Sequence, residues 1–575
     1  MRRLFKVWIV GLILSALGFA PANAQDVIAL EGAILVDAGF DEPIENGVIL
    51  IRDGRISALG AAGAVDIPAG VERVDLSGRW IMPGLVDSHM HFAQSGSLYT
   101  RPDGLDLREV RSYESDRAHS AAELENTFGR YLASGVTAVV DVGGPASGFT
   151  IRDERQSGDI APRIAMAGPL LATLTEGFAG RVARLDLGDD PMMIRVQGPD
   201  RAREYAREQL KAQPDLIKIW YINSDERPAA SSYATVKAII DEAHKGGVRV
   251  AVHATELQTA QLALQAGADI LVHAVDDKPV DQNFITAMKQ NNAIIMTTAT
   301  VYEHIGQLRS RKVVLTPIEK ELGDPAVIAS WAETPEESKR IEIGDALDAR
   351  VDLILANLKV LADAGIPVAV GTDAGNPGTL HGPSIHRELE LLEAAGFSME
   401  QILRAATIDA ASVFAKEPDF GALEVGKLAD LLILKADPTK NVAAWQEIEM
   451  VVLGGVRHDP AALAPFSPAA LVQRQLEAYN AHDLEAFAAT YAEDVELFNL
   501  PAAATPTRQG RETLKEVYKT LFEEQKPNCR LLSRVVQGDY IIDQEFCRFG
   551  DNGLIRASAI YQVEDELIRR VWFAR

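Results

Sequence analysis

Between residues 81 and 410, short apolar segments alternate with longer stretches of helical periodicity, and this alternation restricts the fold more than any other feature. The apolar segments are HMHF, TAVVDVGG, RIAMAGP, LIKIW, RVAVHA, DILVHA, AIIMTTA and PVAVGTD, and stretches such as SYATVKAIIDEAHKGG lie between them. Strands that alternate with helices form parallel sheets, and eight such units close a (β/α)8 barrel. The sequence therefore predicts an α/β protein with a TIM barrel over residues 81–414.

Residues that can bind a metal ion stand at the ends of these predicted strands, which is where barrels of this type carry their chemistry. They are His89, His91, Lys218, His253, His273 and Asp373. His89 and His91 are two positions apart on one strand, so both rings point to the same face and can bind one ion. A single histidine on a strand is more often a buried structural residue, but this ordered set favours a metal centre.

Short alternating segments with glycine turns flank the barrel at residues 25–80 and 415–458, and they predict strands and hairpins. The economical explanation is one small β-sandwich beside the barrel, built from both ends of the barrel sequence. A segment rich in proline and alanine, residues 459–467, predicts a linker. Residues 468–575 then predict a separate α+β domain, since a chain of 575 residues is too long for one core.

The ordered set of strand-end residues resembles that of the amidohydrolase superfamily, specifically its two-metal branch related to prolidase-type and imidazolonepropionase-like enzymes. The resemblance covers roughly residues 25–458 and includes the stretch GALEVGKLADLLIL after the barrel. It implies two divalent ions, which the imidazole and carboxylate ligands suggest are zinc. One ion would be held by His89, His91 and Asp373, the other by His253 and His273, with carboxylated Lys218 bridging the two.

The resemblance also implies an activity, the hydrolysis of an amide-like C–N bond in a dipeptide, an N-acyl amino acid or a cyclic amide. A metal-bridging hydroxide would attack the carbonyl, and Asp373 would be the catalytic proton shuttle. Tyr233 aligns with a tyrosine that binds substrate in dipeptidase-like relatives. His381 follows the Asp373 strand and Tyr221 follows the Lys218 strand, so both are further candidates for substrate binding.

Two other functions remain open. The stretch HATE resembles the HAGE motif of adenosine deaminases, and in that case Glu256 would transfer protons beside a single zinc ion. Glu256 also fits a structural role, because an acidic residue in the first turn of a helix is favoured by the helix dipole. The second alternative is a non-catalytic protein that keeps the barrel for ligand binding, although such a protein would not need all six ligand residues.

The last hundred residues resemble the SnoaL-like branch of the NTF2-like cone-shaped domains. The match is carried by YNAHDLEAFAATYAEDVEL and by the terminal YQVEDELIRRVWFAR. Such domains serve as enzymes, ligand binders or dimerisation modules, and we expect binding or assembly of a homo-oligomer here. Cys529 and Cys547 are the only cysteines, and they can form a disulfide if their strands are neighbours, which the sequence alone does not establish.

The first 24 residues have the pattern of a secretory signal peptide. The basic residues Arg2, Arg3 and Lys6 precede an apolar segment that is shorter than the ~20 residues of a membrane span, and a small-residue cleavage site follows near Ala24. We therefore expect an exported, periplasmic or secreted protein with no membrane segment in its mature form. A net charge of −25 opposes binding to nucleic acid or anionic membranes, so the expected partner is a small molecule or a dipeptide.

Overall fold

The computed structural model describes residues 27–155, 160–224, 227–331, 344–501, 505–550 and 554–574. The predicted signal peptide lies outside these described residues. Within the described ranges, no helix combines the length and the apolar character that a membrane span requires.

The chain begins with five strands of a mixed sheet. They are β1 (Val27–Leu35), β2 (Ile44–Arg52), β3 (Arg55–Ala61), β4 (Glu72–Asp75) and β5 (Trp80–Pro83). β1 pairs antiparallel with β2 and parallel with β4 and β5. The β2–β3 hairpin turns at Asp53 and Gly54, whose φ angles of 50° and 75° fit the two-residue turn that Asp-Gly favours.

Of the next ten strands, all except β10 form the barrel. The ten strands are β6 (Leu85–Met90), β7 (Val136–Asp141), β8 (Arg163–Met166), β9 (Leu170–Ala172), β10 (Met193–Arg195), β11 (Leu216–Trp220), β12 (Arg249–His253), β13 (Ile270–Leu271), β14 (Ile294–Met296) and β15 (Val368–Ala369). β6, β7 and β8 are hydrogen-bonded to one another in that order. A second run of hydrogen-bonded strands has the order β9, β11, β12, β13, β14 and β15, and β10 pairs only with β9. β8 and β9 are the two parts of one barrel strand.

Backbone hydrogen bonds close the barrel between its first and last strands. The Ser88 N–H donates to the Val370 carbonyl at 2.9 Å, and the Asp373 N–H donates to the His89 carbonyl at 2.7 Å. The Asp215 N–H donates to the Met166 carbonyl at 3.0 Å and joins β8 to the start of β11. The predicted (β/α)8 barrel is confirmed.

The helices around and between these strands are α1 (Tyr113–Ala122), α2 (Leu124–Ala133), α3 (Gly148–Arg155), α4 (Glu176–Val182), α5 (Pro199–Leu210), α6 (Ala229–Lys245), α7 (Leu257–Ala266), α8 (Gln282–Asn291), α9 (Ala299–Ser310), α10 (Pro317–Leu322), α11 (Pro325–Ser330), α12 (Gly344–Asp363), α13 (Ser384–Ala394), α14 (Met399–Ala406) and α15 (Ile408–Phe414). A short 3-10 helix, Ala183–Leu185, follows α4. Capping boxes begin α10 and α14, where a Thr or Ser is followed three positions later by Glu or Gln.

Alternation along β11 explains how a lysine reaches the barrel mouth. Ile217 and Ile219 belong to the apolar layer between the strands and the surrounding helices, whereas Leu216 belongs to the cluster inside the barrel. Successive side chains of a strand point to opposite faces, so Lys218 lies on the same side as Leu216. Lys218 is two residues nearer the carboxyl end of the strand, which is where a TIM barrel opens.

After the barrel, the chain returns to the first sheet with β16 (Leu431–Leu434), β17 (Ile448–Leu453) and β18 (Val456–His458), and a 3-10 helix, Val442–Gln446, lies between β16 and β17. β16 pairs antiparallel with β5 and with β17. The sheet order is β18-β17-β16-β5-β1-β2-β3, with β4 beside β1. Both sides of the barrel sequence therefore contribute to one flanking β-structure, as predicted.

The remaining elements are α16 (Pro460–Leu463), α17 (Pro468–Ala481), α18 (Leu484–Ala489), β19 (Tyr491–Asn499), β20 (Arg508–Gln509), α19 (Arg511–Glu524), β21 (Asn528–Gln537), β22 (Tyr540–Arg548), β23 (Leu554–Glu564) and β24 (Leu567–Ala574). The sheet order is β20-β19-β24-β23-β22-β21. This unit has its own apolar core. Cys529 on β21 faces Cys547 on β22 across the sheet, and the two form a disulfide.

Candidate metal centre

The six predicted ligand residues come together at the carboxyl ends of the barrel strands. His89, His91, Lys218, His253, His273 and Asp373 all line one cavity of about 230 Å³. Nε2 of His89 and Nε2 of His91 lie 3.3 and 3.1 Å from Oδ1 of Asp373. The ring centroid of His273 lies 4.9 Å from that of His89 and 4.6 Å from that of His253. Residues that are far apart in sequence thus form one cluster.

Hydrogen bonds on the far side of three rings fix which nitrogen faces the cluster. Nδ1 of His89 lies 3.0 Å from the Val272 carbonyl oxygen, and Nδ1 of His91 lies 2.7 Å from the Gly143 carbonyl oxygen. A carbonyl only accepts, so each Nδ1 carries a proton and donates it, and each Nε2 faces the cluster. Nδ1 of His273 lies 2.8 Å from the Thr298 hydroxyl, which can donate or accept, so this contact orients the ring without fixing its tautomer. Such outer partners are typical of metal-binding histidines.

The contact between His89 and Asp373 has the chemistry of a cation site. Burial lowers the pKa of His89 to about 4, so its ring is neutral near pH 7. The Nε2 lone pair then faces a carboxylate oxygen, and two acceptors at this distance repel each other unless a cation or a proton lies between them. The donor set fits a divalent ion that prefers nitrogen and oxygen ligands.

Asp373 is held in a strained backbone conformation. Its φ of 57° lies in the left-handed region that a residue with a side chain rarely adopts, and such outliers cluster at functional sites. Burial opposes ionisation of its carboxyl group, but as the pH falls protonated His89 attracts the carboxylate, and the contact with His91 acts in the same direction. Together these contacts outweigh burial and hold the pKa of Asp373 well below its usual range. Asp373 is therefore an anion at neutral pH.

Lys218 is the unusual member of the cluster, because it is only 2% exposed. Burial lowers its pKa to about 7, despite the opposing charges of Asp373 and Asp141. Within the described residues, its amino group has no carboxylate within ion-pair distance. A neutral amine has the lone pair that an ammonium lacks, so Lys218 can react as a nucleophile.

Asp87 ties the first barrel strand to the turn that carries Asp373. Its carboxylate accepts from the Thr372 hydroxyl at 2.7 Å, from the Thr372 N–H at 3.0 Å and from the His89 N–H at 3.2 Å. Burial raises the pKa of Asp87 to about 7, although these hydrogen bonds act in the opposite direction. This residue positions two parts of the cluster without facing the cavity.

Sequence reasoning missed a chain of hydrogen bonds that ends on Asp373. The Asn376 amide donates to Oδ1 of Asp373 at 2.7 Å, and its own carbonyl oxygen accepts from Arg101 at 2.7 Å. Arg101 is fixed in turn by two hydrogen bonds of 2.8 Å to Asp103. Both Arg101 and Asn376 line the cavity. In the sequence, these two residues are indicated only by their position in the loops after β6 and after the Asp373 turn. Loop residues follow no periodic pattern, so this position does not show which side chains reach the cavity.

The three predicted substrate-binding residues have structural partners instead, and none is among the residues that line the cavity. Tyr233 lies inside α6, whose register directs its hydroxyl to the Gln265 carbonyl at 3.3 Å on the exterior of the barrel. The Tyr221 hydroxyl donates to the Ala229 carbonyl at 2.6 Å. His381 is buried between the Tyr131 hydroxyl and the Gln94 carbonyl. Trp220 and Tyr302 line the cavity in their place.

Glu256, the acid of the deaminase alternative, is the N-cap residue of α7. Its carboxylate accepts from the Thr259 hydroxyl at 3.0 Å. It is not among the residues that line the cavity. Its position therefore fits the structural role that the helix start predicts.

Comparisons with known proteins agree with this geometry. Residues 80–457 match the amidohydrolase family, and residues 472–571 match the SnoaL-like domain. An ochratoxinase from Aspergillus niger is 25% identical over 460 residues, which cover 75% of this chain and 86% of that protein. An imidazolonepropionase from Cupriavidus taiwanensis is 24% identical, with 72% and 90% coverage. The crystal structure of a putative prolidase from Bifidobacterium longum is 26% identical, with a TM-score of 0.57 and 76% and 98% coverage.

The resemblance predicted from the strand-end residues and from the C-terminal motifs is confirmed for both parts of the chain. The first match alone spans well over half of the sequence and includes every residue of the cluster. The chain belongs to the amidohydrolase family and carries a SnoaL-like domain at its C-terminal end.

Proposed function

We propose that this protein is a binuclear metal-dependent hydrolase that cleaves an amide-like C–N bond in a small molecule. The observation that carries the proposal is the convergence of four imidazoles, Asp373 and the buried Lys218 on one cavity. The ochratoxinase, imidazolonepropionase and prolidase-like relatives support the choice of an amide-like bond. A dipeptide, an N-acyl amino acid or a cyclic amide would offer such a bond.

Two divalent ions, which the nitrogen and oxygen donors suggest are zinc, fit the cluster. His89, His91 and Asp373 would hold one ion, and His253 and His273 the other. Lys218 would bridge them as a carbamate, formed when its neutral amine attacks carbon dioxide and releases one proton. Carboxylation replaces a cation by an anion and therefore removes the repulsion that an ammonium would meet beside two dications.

Bound divalent ions would supply Lewis acidity, which acidifies a water molecule and polarises the carbonyl group under attack. The Asp373 carboxylate, which is held at the cluster, would accept the proton of the attacking water and deliver it to the leaving nitrogen. Asn376 keeps that carboxylate in place through its hydrogen bond to Oδ1.

The rest of the cavity indicates what kind of substrate it takes. Leu170, Met192, Trp220, Val301 and Ile305 supply the apolar part of the lining of the same cavity. An apolar lining excludes water and favours contact with apolar groups. We therefore propose that a hydrophobic side chain or acyl group lies next to the scissile bond.

Metal removal and a substrate screen test this function. Protein loaded with zinc should contain two ions per chain by elemental analysis, and it should hydrolyse N-acyl amino acids or dipeptides with hydrophobic side chains. Dialysis against a chelator should abolish turnover, and added zinc should restore it. Undiminished turnover by protein that contains no metal would contradict the proposal. One ion per chain together with release of ammonia from an aminopurine would favour the deaminase.

Asn376→Ala should lower kcat by roughly 10-fold to 100-fold, which is the usual cost of losing a partner that orients a metal ligand. KM should change less, because the amide orients Asp373 and is not proposed to bind substrate. Asn126→Ala, on an exposed helix position, is the matched control. Steady-state kinetics of both variants at saturating zinc check this expectation. Equal kcat values for the two variants would show that Asp373 needs no such support.

We also propose that the protein is exported, because a disulfide such as Cys529–Cys547 persists in oxidising compartments. Fractionation of cells that express the full chain checks this proposal. The mature protein in the periplasm or medium should begin at Gln25.

A further inference from the structure

The C-terminal domain encloses a second and larger cavity, with a volume of about 670 Å³. Every residue that lines it belongs to this domain, between Gln475 on α17 and Ala574 on β24. It is therefore separate from the metal centre in the barrel. Its volume lies in the range of cavities that bind small organic molecules.

Glu545 lies in the wall of this cavity without a matching positive charge. The residue is only 8% exposed, and it lies on β22 between two inward-facing neighbours, Asp543 and Cys547. Asp543 is neutralised by Arg534, which donates two hydrogen bonds of 2.7 Å to it. Sγ of Cys547 lies 3.6 Å from the Glu545 carboxylate, but a disulfide sulfur has no proton to donate. Among the described residues, no cation or hydrogen-bond donor satisfies Glu545.

A second acceptor in the same cavity also lacks a donor. Gln475 is 5% exposed, and its Oε1 atom has no hydrogen-bond partner within the described part of the chain. No side chain among the described residues satisfies these two acceptors, so a molecule bound in the cavity can supply their donors.

The other lining residues limit the chemistry of that molecule. The cavity wall includes the tyrosines Tyr479, Tyr491, Tyr518 and Tyr561. Aromatic rings attract a cation over their faces and pack against an apolar body. Burial raises the pKa of Glu545 to about 7, with a smaller contribution from Asp543, and a bound cation would offset that cost. An ammonium group has three donors and a positive charge, and thus matches both acceptors.

We propose that the SnoaL-like domain binds a small amine with an aromatic or apolar body, whose ammonium group lies beside Glu545 and Gln475. This site is independent of the hydrolytic function proposed for the barrel. Binding requires no covalent step.

Tryptamine and tryptophol test the proposal, because the two molecules have the same indole body and differ in an ammonium or a hydroxyl group. Isothermal titration of the full-length protein should give one tryptamine site per chain, and tryptophol should bind at least ~10-fold more weakly, since a charge-assisted hydrogen bond is roughly twice as strong as a neutral one. Equal affinity for the two compounds, or no binding of tryptamine, would overturn the proposal. This comparison uses the wild-type protein only and does not depend on the folding of a variant.

Glu545→Gln locates the site, because the amide keeps the shape of the side chain and removes its charge. The variant should lose the preference for tryptamine over tryptophol, whereas Glu524→Gln at an exposed position should keep it. A Glu545→Gln variant that still prefers tryptamine would place the amine elsewhere and overturn the assignment. Hydrolytic activity should be the same in both variants, which separates this site from the barrel.

Discussion

Lys218→Ala should lose bound metal and activity together, with a fall in kcat of at least ~10²-fold. The reason is that alanine offers no anion to bridge two dications, whose mutual repulsion would then expel one of them. Elemental analysis and steady-state kinetics on the same preparation measure the two losses. Lys237→Ala, which changes a lysine on α6 whose side chain is 45% exposed, is the matched control and should keep both metal and turnover.

Rescue distinguishes the bridge from a purely structural lysine. Short carboxylic acids such as acetate or propionate can occupy the space left by the side chain and supply a carboxylate, so they should restore part of the metal content and activity of Lys218→Ala. Rescue should increase with acid concentration and should be absent for ethanol, which is of similar size but uncharged. Full activity with two bound ions in the unrescued variant would exclude the carbamate.

Asp373→Asn should lower kcat by at least ~10²-fold while it retains more metal than His89→Ala. An amide oxygen still coordinates a metal weakly, but an amide neither accepts the proton of the attacking water nor returns it to the leaving nitrogen. Metal content and kcat, measured at saturating substrate, separate these two functions of the residue. Asp352→Asn, at an exposed position on α12, is the control.

The pH dependence of Asp373→Asn adds a second test. In the native protein, loss of activity at low pH should reflect protonation of groups in the cluster, and the acidic limb should change when the proton acceptor is removed. A variant with normal kcat and an unchanged acidic limb would remove Asp373 from the proton-transfer role.

The residues of the cluster could be predicted because each one ends a short apolar segment or follows it directly. A barrel brings the carboxyl ends of its strands to one opening, so His89, His253 and Asp373 can be placed together without knowledge of any contact. The flanking sheet could be predicted for a similar reason, since short strands with glycine turns occur on both sides of the barrel. Local periodicity and chain order placed these residues and strands, and the resemblance to the amidohydrolase superfamily supplied the two-ion ligand set.

The positions of the other residues around the cavity could not be predicted in the same way. The direction of Tyr233 depends on the register of α6, which carries it to α7 instead of the cavity. Arg101 and Asn376 lie in loops, where spacing does not determine which side chains meet. The pairing of Cys529 with Cys547 depends on the register of β21 and β22, and the C-terminal cavity depends on side chains from several elements. These features arise from tertiary packing and leave no local pattern.

The closure of the barrel between β6 and β15 would give the proposed metal centre a role in folding. His89 and Asp373 come from opposite ends of the barrel sequence, and they meet only when the first and last strands are hydrogen-bonded to each other. An ion that binds both residues would bind the closed barrel and not a partly formed one. Its free energy of binding would therefore add to the stability of the complete domain. An incomplete barrel would lack this pair of ligands, so an ion held between His89 and Asp373 would require the closed barrel.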